Sequence, residues 1–172
     1  MSSPLIVPVP PPGVARLRFV TTKGNWLSRL INWREMSKVS HVEAVMQDGS
    51  IIAALLKEGV VRKPGDYDTT STSQQFVDIA MSPEAYERWE RYLINRLGRP
   101  YDLDALVGIA FHIDFRRRSA FICSMLQTLA VRASLIFPVP LSEAAHEVTP
   151  RDLRLILSAH PAATIYPVEI RA

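Results

Sequence analysis

Apolar and polar residues alternate along Ala15-Arg-Leu-Arg-Phe-Val20, the two-residue period of a strand with one face buried. Ser40 to Met46 and Ile51 to Leu56 form two more strand-like runs around Gln-Asp-Gly-Ser. The Asp48-Gly49 pair there supplies the chemistry of a hairpin turn. Gly59 to Pro64 and Gln75 to Ala80 read as further short strands, separated by a polar stretch of Asp, Thr and Ser that reads as a loop.

Helical spacing takes over elsewhere. Trp26, Leu27, Leu30, Ile31 and Trp33 follow Asn25 at about helical intervals, so a short helix is expected over 25–34. Ser82-Pro83-Glu84 has the cap, first-turn proline and early acid of a helix start, and the pattern of Tyr86, Trp89, Tyr92, Leu93 and Leu97 carries it to Gly98. Helices are expected over 102–110 and 120–134, the second strongly apolar and therefore buried. Thr149-Pro150-Arg151-Asp152 opens a last short helix, and 163–170 is expected to close the sheet as a final strand. Strands gathered early and helices later point to an α+β fold with a central antiparallel sheet packed against helices.

Composition narrows this picture. With 172 residues and 48% hydrophobic content, the chain can bury one core and is too short for two ordinary domains. Residues 1–14 read as an extended Pro-rich arm, with prolines at 4, 8, 10, 11 and 12, and residues 15–172 as the single domain. Those prolines interrupt any apolar secretory stretch, and no run of about 18 apolar residues occurs. Cytoplasmic synthesis without a membrane span is the expectation. The net charge of +3 is densest at Arg116, Arg117 and Arg118. Three adjacent arginines suit either a solvated loop or a phosphate backbone; no stripe of aromatics accompanies them, so no nucleic-acid partner is expected.

The single cysteine excludes an internal disulfide and a cysteine-based metal site. Cys123 is therefore a small core residue or a reagent. Near the start of an apolar helix, the positive end of the dipole would favour its thiolate. A thiol nucleophile needs an imidazole to take its proton. His41 opens a predicted strand, with Glu43 two residues on and on the same face, about 7 Å away between Cα atoms; the pair reads either as a base with its orienting acid or as solvated polar residues. His112, His146 and His160 have no similar setting and are taken as structural or surface residues.

The segment Ser40-His-Val-Glu-Ala-Val-Met-Gln-Asp-Gly-Ser-Ile-Ile-Ala-Ala54, followed by Gly59-Val-Val, resembles the histidine hairpin of NlpC-type hydrolases. Gly98-Arg-Pro-Tyr101 is similar to the Gly-x-Pro-Tyr element placed before their nucleophile. Phe121-Ile-Cys-Ser124 is similar to the aromatic-x-Cys-Ser segment that bears it, and Thr149-Pro-Arg-Asp-Leu153 resembles a closing segment. Histidine before cysteine is the order of the circularly permuted, YiiX-like branch of these papain-like cysteine hydrolases. The Ser-His-Val-Glu pattern also resembles phage and prophage members.

This resemblance implies a papain-like fold in permuted order and a metal-independent thiol hydrolase with no cofactor. Cys123 would attack an acyl carbon, His41 would act as its base and Glu43 as the third residue. Tyr101 would donate to the oxyanion with the Cys123 amide, or else simply pack in a turn. Two positions depart from the pattern: the relatives' third residue falls on Ala53, and Met125 stands where Glu usually follows Cys-Ser. The implied substrates are peptide amides such as cell-wall γ-D-glutamyl links, or lipid-linked amides and esters, for which the apolar flank 107–111 is suited. A papain-like module that binds without turnover is the alternative. The sequence leaves the oligomeric state open.

Overall fold

The computed structural model describes residues 5–22, 39–101, 122–137, 145 and 147–171. Among them, seven strands form one open antiparallel sheet, and three helices follow or interleave with it. The strands are β1 Val14–Thr22, β2 His41–Val45, β3 Ile51–Leu55, β4 Gly59–Lys63, β5 Ser71–Ala80, β6 Ala163–Ile165 and β7 Glu169–Ile170. The helices are α1 Pro83–Ile94, α2 Cys123–Ser134 and α3 Pro150–Ser158. The fold is thus α+β, with the sheet ordered β4-β3-β2-β1-β5-β6 and β7 added beside β6 on β5. The helices expected over 25–34 and 102–110, the residues Arg116 to Arg118, and His112 and His146 lie outside the described residues. No helix among the described residues is long and apolar enough to cross a membrane.

The strand period sorts side chains onto two unlike faces. Leu17, Phe19, Val42, Ala44, Ile52, Val77 and Ile79 face the helices and join Trp89, Leu93, Leu126, Leu153 and Leu157 in one core. Arg16 and Arg18 of β1 face the other way, yet Arg18 is 0% exposed. That second face is a buried polar layer. Arg16 makes two 2.7 Å bonds to the Asp78 carboxylate, and Arg18 reaches Glu43 at 2.7 Å and Gln74 at 2.8 Å.

The Pro-rich arm helps to cover this layer. The Pro8 carbonyl accepts from Arg16 at 2.7 Å and the Ile6 carbonyl accepts from Gln74 at 2.7 Å. The arm's described part therefore lies along the sheet, where its proline-set extended backbone presents carbonyls to buried donors.

Helix α2 begins at Cys123, where the chain leaves the extended backbone of Ile122, and not at residue 120, and three other differences from the sequence expectation have a local cause. Helix α1 stops at Ile94 and not at Gly98, because its hydrogen bonds tighten to three-residue turns at Arg96, Leu97 and Arg99. Gly98, at φ +80°, then hands its N–H to the Val60 carbonyl of β4, the left-handed step that glycine makes at little cost. Strand β5 starts at Ser71, earlier than the apolar run, because Asp68 accepts from the Thr70 and Ser71 amides and turns the chain into the sheet. The final strand splits at Tyr166-Pro167-Val168: Ile165 pairs with Val77 but Ile170 with Ser73. Pro167 has no N–H for a ladder.

Candidate active site

Cys123 is the first residue of α2, and Ile122 before it provides no side-chain cap. An uncapped helix start leaves its first amides in need of acceptors. The Ser124 and Val42 amides lower the proton affinity of the Cys123 sulfur. Strand β3 pairs with Ala44 and Val45 of β2, so the opening residues of β2 are left to face the helix on that side. The nucleophile candidate is thus tied to the strand that bears the histidine.

His41 begins β2 opposite Val20. The Ser40 amide bonds to the Val20 carbonyl at 2.9 Å, and the Ser40 hydroxyl takes the Thr22 amide at 3.1 Å. These contacts fix where the imidazole enters. Its proton affinity responds to the Cys123 sulfur by charge and hydrogen bonding, and its Nε2 has no hydrogen-bond partner. The side chain is 18% exposed and so within reach of a ligand.

Electrostatics favour charge separation between the two. Burial pushes the Cys123 thiol up, but the His41 cation and the amides of Val42 and Ser124 outweigh it, and the thiol lies below its ordinary range. Burial pushes the imidazolium down, but Cys123, Glu43 and Asp68 outweigh it, and His41 rises to about 9. A thiolate beside an imidazolium is the arrangement that activates a cysteine near neutral pH.

Glu43 is brought to the same place. Its Oε2 lies 3.7 Å from His41 Nε2, closer than the strand spacing alone gives but beyond a hydrogen bond. Its partners are Arg18, which donates to Oε1 at 2.7 Å, and the Tyr67 hydroxyl, which donates to Oε2 at 2.6 Å. Glu43 is fully buried. Ala53 is also fully buried, and continuing the β2–β3 register by one pair sets it opposite Glu43.

Tyr101 packs, partly buried, against the core cluster that includes Cys123. The segment before it is zipped to β4: Val60 donates to the Arg99 carbonyl at 2.8 Å and accepts from Gly98 at 2.8 Å. Tyr101 thus has a firm packing place.

Arg18, Tyr67 and Asp68 escaped the sequence reading. Arg18 had a signal, since a second arginine on the same face as Arg16 inside a strand calls for a buried acid. Tyr67 and Asp68 had none, because a polar loop does not disclose which strand it covers. On the helical layer, a recess of about 240 Å³ is lined by Arg88, Arg91, Tyr92, Asn95, Arg96 and Ala133. It sits at the last turn of α1, where arginines answer the negative end of the helix dipole.

The chain matches no model of a known protein family and no curated protein.

Proposed function

We propose that this protein is a cysteine-dependent amide or ester hydrolase, with Cys123 as nucleophile and His41 as its base, in a papain-like fold of permuted order. The observation that carries this is the Cys123–His41 pair itself. A sulfur at a bare helix start, its proton affinity lowered by two amides, faces an imidazole whose proton affinity is raised. The histidine hairpin, the helix that begins on the cysteine and the docked Gly-x-Pro-Tyr segment add support, because they are the elements on which the resemblance to permuted NlpC-type hydrolases rests.

In this reading the Cys123 thiolate adds to a carbonyl carbon, and the oxyanion is met by backbone amides at the start of α2. His41 passes its proton to the departing amine or alcohol as the C–N or C–O bond breaks, leaving a thioester on Cys123. Water deprotonated by His41 then attacks the thioester, releasing the acid and restoring the thiol. Glu43 supports the cationic imidazole by charge. Tyr101, packed against the core cluster that includes Cys123, is the proposed side-chain donor to the same oxyanion.

Peptide amides of the cell-wall type are the proposed substrates, with lipid-linked amides or esters as the other class. The test is mass spectrometry of Cys123 after brief exposure to a γ-D-glutamyl dipeptide amide or to an N-acyl amine. A thioester adduct and product release, both absent in Cys123→Ala, are expected with one of the two. A wild-type chain that neither accumulates adduct nor releases product would defeat the reading. A binding module without turnover is favoured by one feature, the absence of a hydrogen bond on His41 Nε2. Such a module would retain a peptide on a column without cleaving it.

A further inference from the structure

We propose that Tyr67 is a positioning residue for His41, acting through Glu43, and that Arg18, Glu43 and Tyr67 form one buried array that keeps a fixed negative charge behind the imidazole. The inference deepens the hydrolase reading and rests on it for its catalytic meaning.

An arginine beside a lone carboxylate ordinarily takes both oxygens with its planar fork. Arg18 does not. Its Nη1 binds Oε1 of Glu43 while its Nε turns to Gln74 Oε1 at 2.8 Å. Oε2 is left to the Tyr67 hydroxyl, and it is this oxygen that stands 3.7 Å from His41 Nε2. The division of the two oxygens between two donors sets the direction of the carboxylate. Each end of the array is anchored in turn. Gln74 is held by the Ile6 carbonyl and Glu169. The Tyr67 amide bonds to the Pro64 carbonyl at 3.2 Å, and Asp68 next to it gathers Thr70 and Ser71.

Because Nε2 has no hydrogen-bond partner, the array influences the imidazole by its field and not by a bond. Among the described residues, the charged and titratable groups around His41 are Cys123 from α2, Glu43 on its own strand, Asp68 from the β4–β5 loop, and Arg18 and Tyr67 behind Glu43. Burial first, and the Glu43 charge next, push the Tyr67 phenol well up, so it stays a donor throughout the range in which the imidazole titrates. Without the phenol, Oε2 is free to swing onto the Arg18 fork, and His41 loses the negative charge nearest Nε2.

The experiment is an NMR titration of the His41 imidazole in wild type, Tyr67→Phe, Glu43→Gln and the double variant. Tyr67→Phe should lower the His41 midpoint by about one unit, a tenfold change in proton affinity, and should add nothing on top of Glu43→Gln. A role in stability alone would shift the unfolding midpoint but not the titration. An unchanged or raised His41 midpoint in Tyr67→Phe would overturn the proposal. Should that variant fail to fold, 3-fluorotyrosine incorporated at position 67 keeps the shape while making the phenol more acidic. The stronger donor keeps Oε2 in place, so the His41 midpoint should hold in that protein, and a fall of the size expected for Glu43→Gln would overturn the proposal. Alkylation of wild-type Cys123 judges the hydrolase reading separately: slow labelling with a Tyr67-dependent midpoint would sink that reading and leave the array standing.

Discussion

Arg18 and Glu43 meet at 2.7 Å with 1% and 0% of their side chains exposed. Two charges taken out of water on a strand face repay their desolvation only together. Arg18→Met leaves the Glu43 carboxylate with the Tyr67 hydroxyl alone and should cost about 3–5 kcal/mol. Converting both, as Arg18→Met with Glu43→Leu, removes the stranded charge and should recover most of that loss. Urea unfolding of the two variants measures the difference. A single variant as stable as wild type would mean that the pair contributes nothing to folding.

The Cys123–His41 pair implies a pH window whose sign can be worked out. His41 is raised from 6.5 to about 9. Its contribution to stability is thus fully present below 6.5 and lost as pH climbs through about 9. Cys123 is lowered from 9.0, so its contribution is present above 9.0 and lost as pH falls through the lowered value. Thiolate and imidazolium therefore coexist between that lowered value and about 9. At about pH 6, iodoacetamide should label wild type about tenfold faster than His41→Ala, because only the wild type has the cation that favours the thiolate. Equal rates in the two proteins would show that the imidazole does not activate the sulfur.

Much of the sheet was legible in the sequence because its strands carry the two-residue period and its hairpin carries Asp48-Gly49. The starts of α1 and α3 were legible for a similar reason, since Ser82 and Thr149 announce their caps. The stop of α1 was not, because apolar Leu97 continues the helical pattern while Gly98 is drawn away by Val60, a partner distant in the chain. At the site, His41 and Glu43 could be paired from spacing, and Cys123 could be set at a helix start. What spacing cannot give is competition for an oxygen. Glu43 faces His41, but its hydrogen bonds go to Arg18 and Tyr67, brought there by β1 and by a loop whose sequence shows only polarity.

Gly59 links the hairpin sheet to the Gly98-Arg-Pro-Tyr101 segment. It has φ +76°, and a Cβ there would lie 2.2 Å from the Arg99 carbonyl oxygen, a backbone atom that cannot turn aside. Gly59→Ala combines a left-handed backbone penalty of about 1–2 kcal/mol with displacement of the 98–101 segment. The thermal unfolding midpoint should drop accordingly. If the variant matches wild type in unfolding temperature, the docking of that segment on β4 is not as tight as the Val60 hydrogen bonds imply.

The Pro-rich arm gives the last prediction. Its carbonyls at Ile6 and Pro8 take protons from Gln74 and from the buried Arg16, and Val9 approaches the turn at Gly49, at the end of the hairpin away from His41. Removing residues 1–10 returns the Arg16–Asp78 pair and Gln74 to water, or leaves them short of an acceptor. Hydrogen bonds to a charged donor and to an amide are worth about 1.5–3 and about 1 kcal/mol, so a loss of about 2–4 kcal/mol is expected in urea unfolding. The Cys123 labelling rate in the folded truncated chain should stay as it was, because the carbonyls of the arm's described residues bond Arg16 and Gln74 and not Cys123, His41 or Glu43. A truncation that leaves stability unchanged would mean that water serves those donors as well as the arm does. One that slows labelling while the fold persists would mean that Gln74 transmits the arm's hold through Arg18 to Glu43.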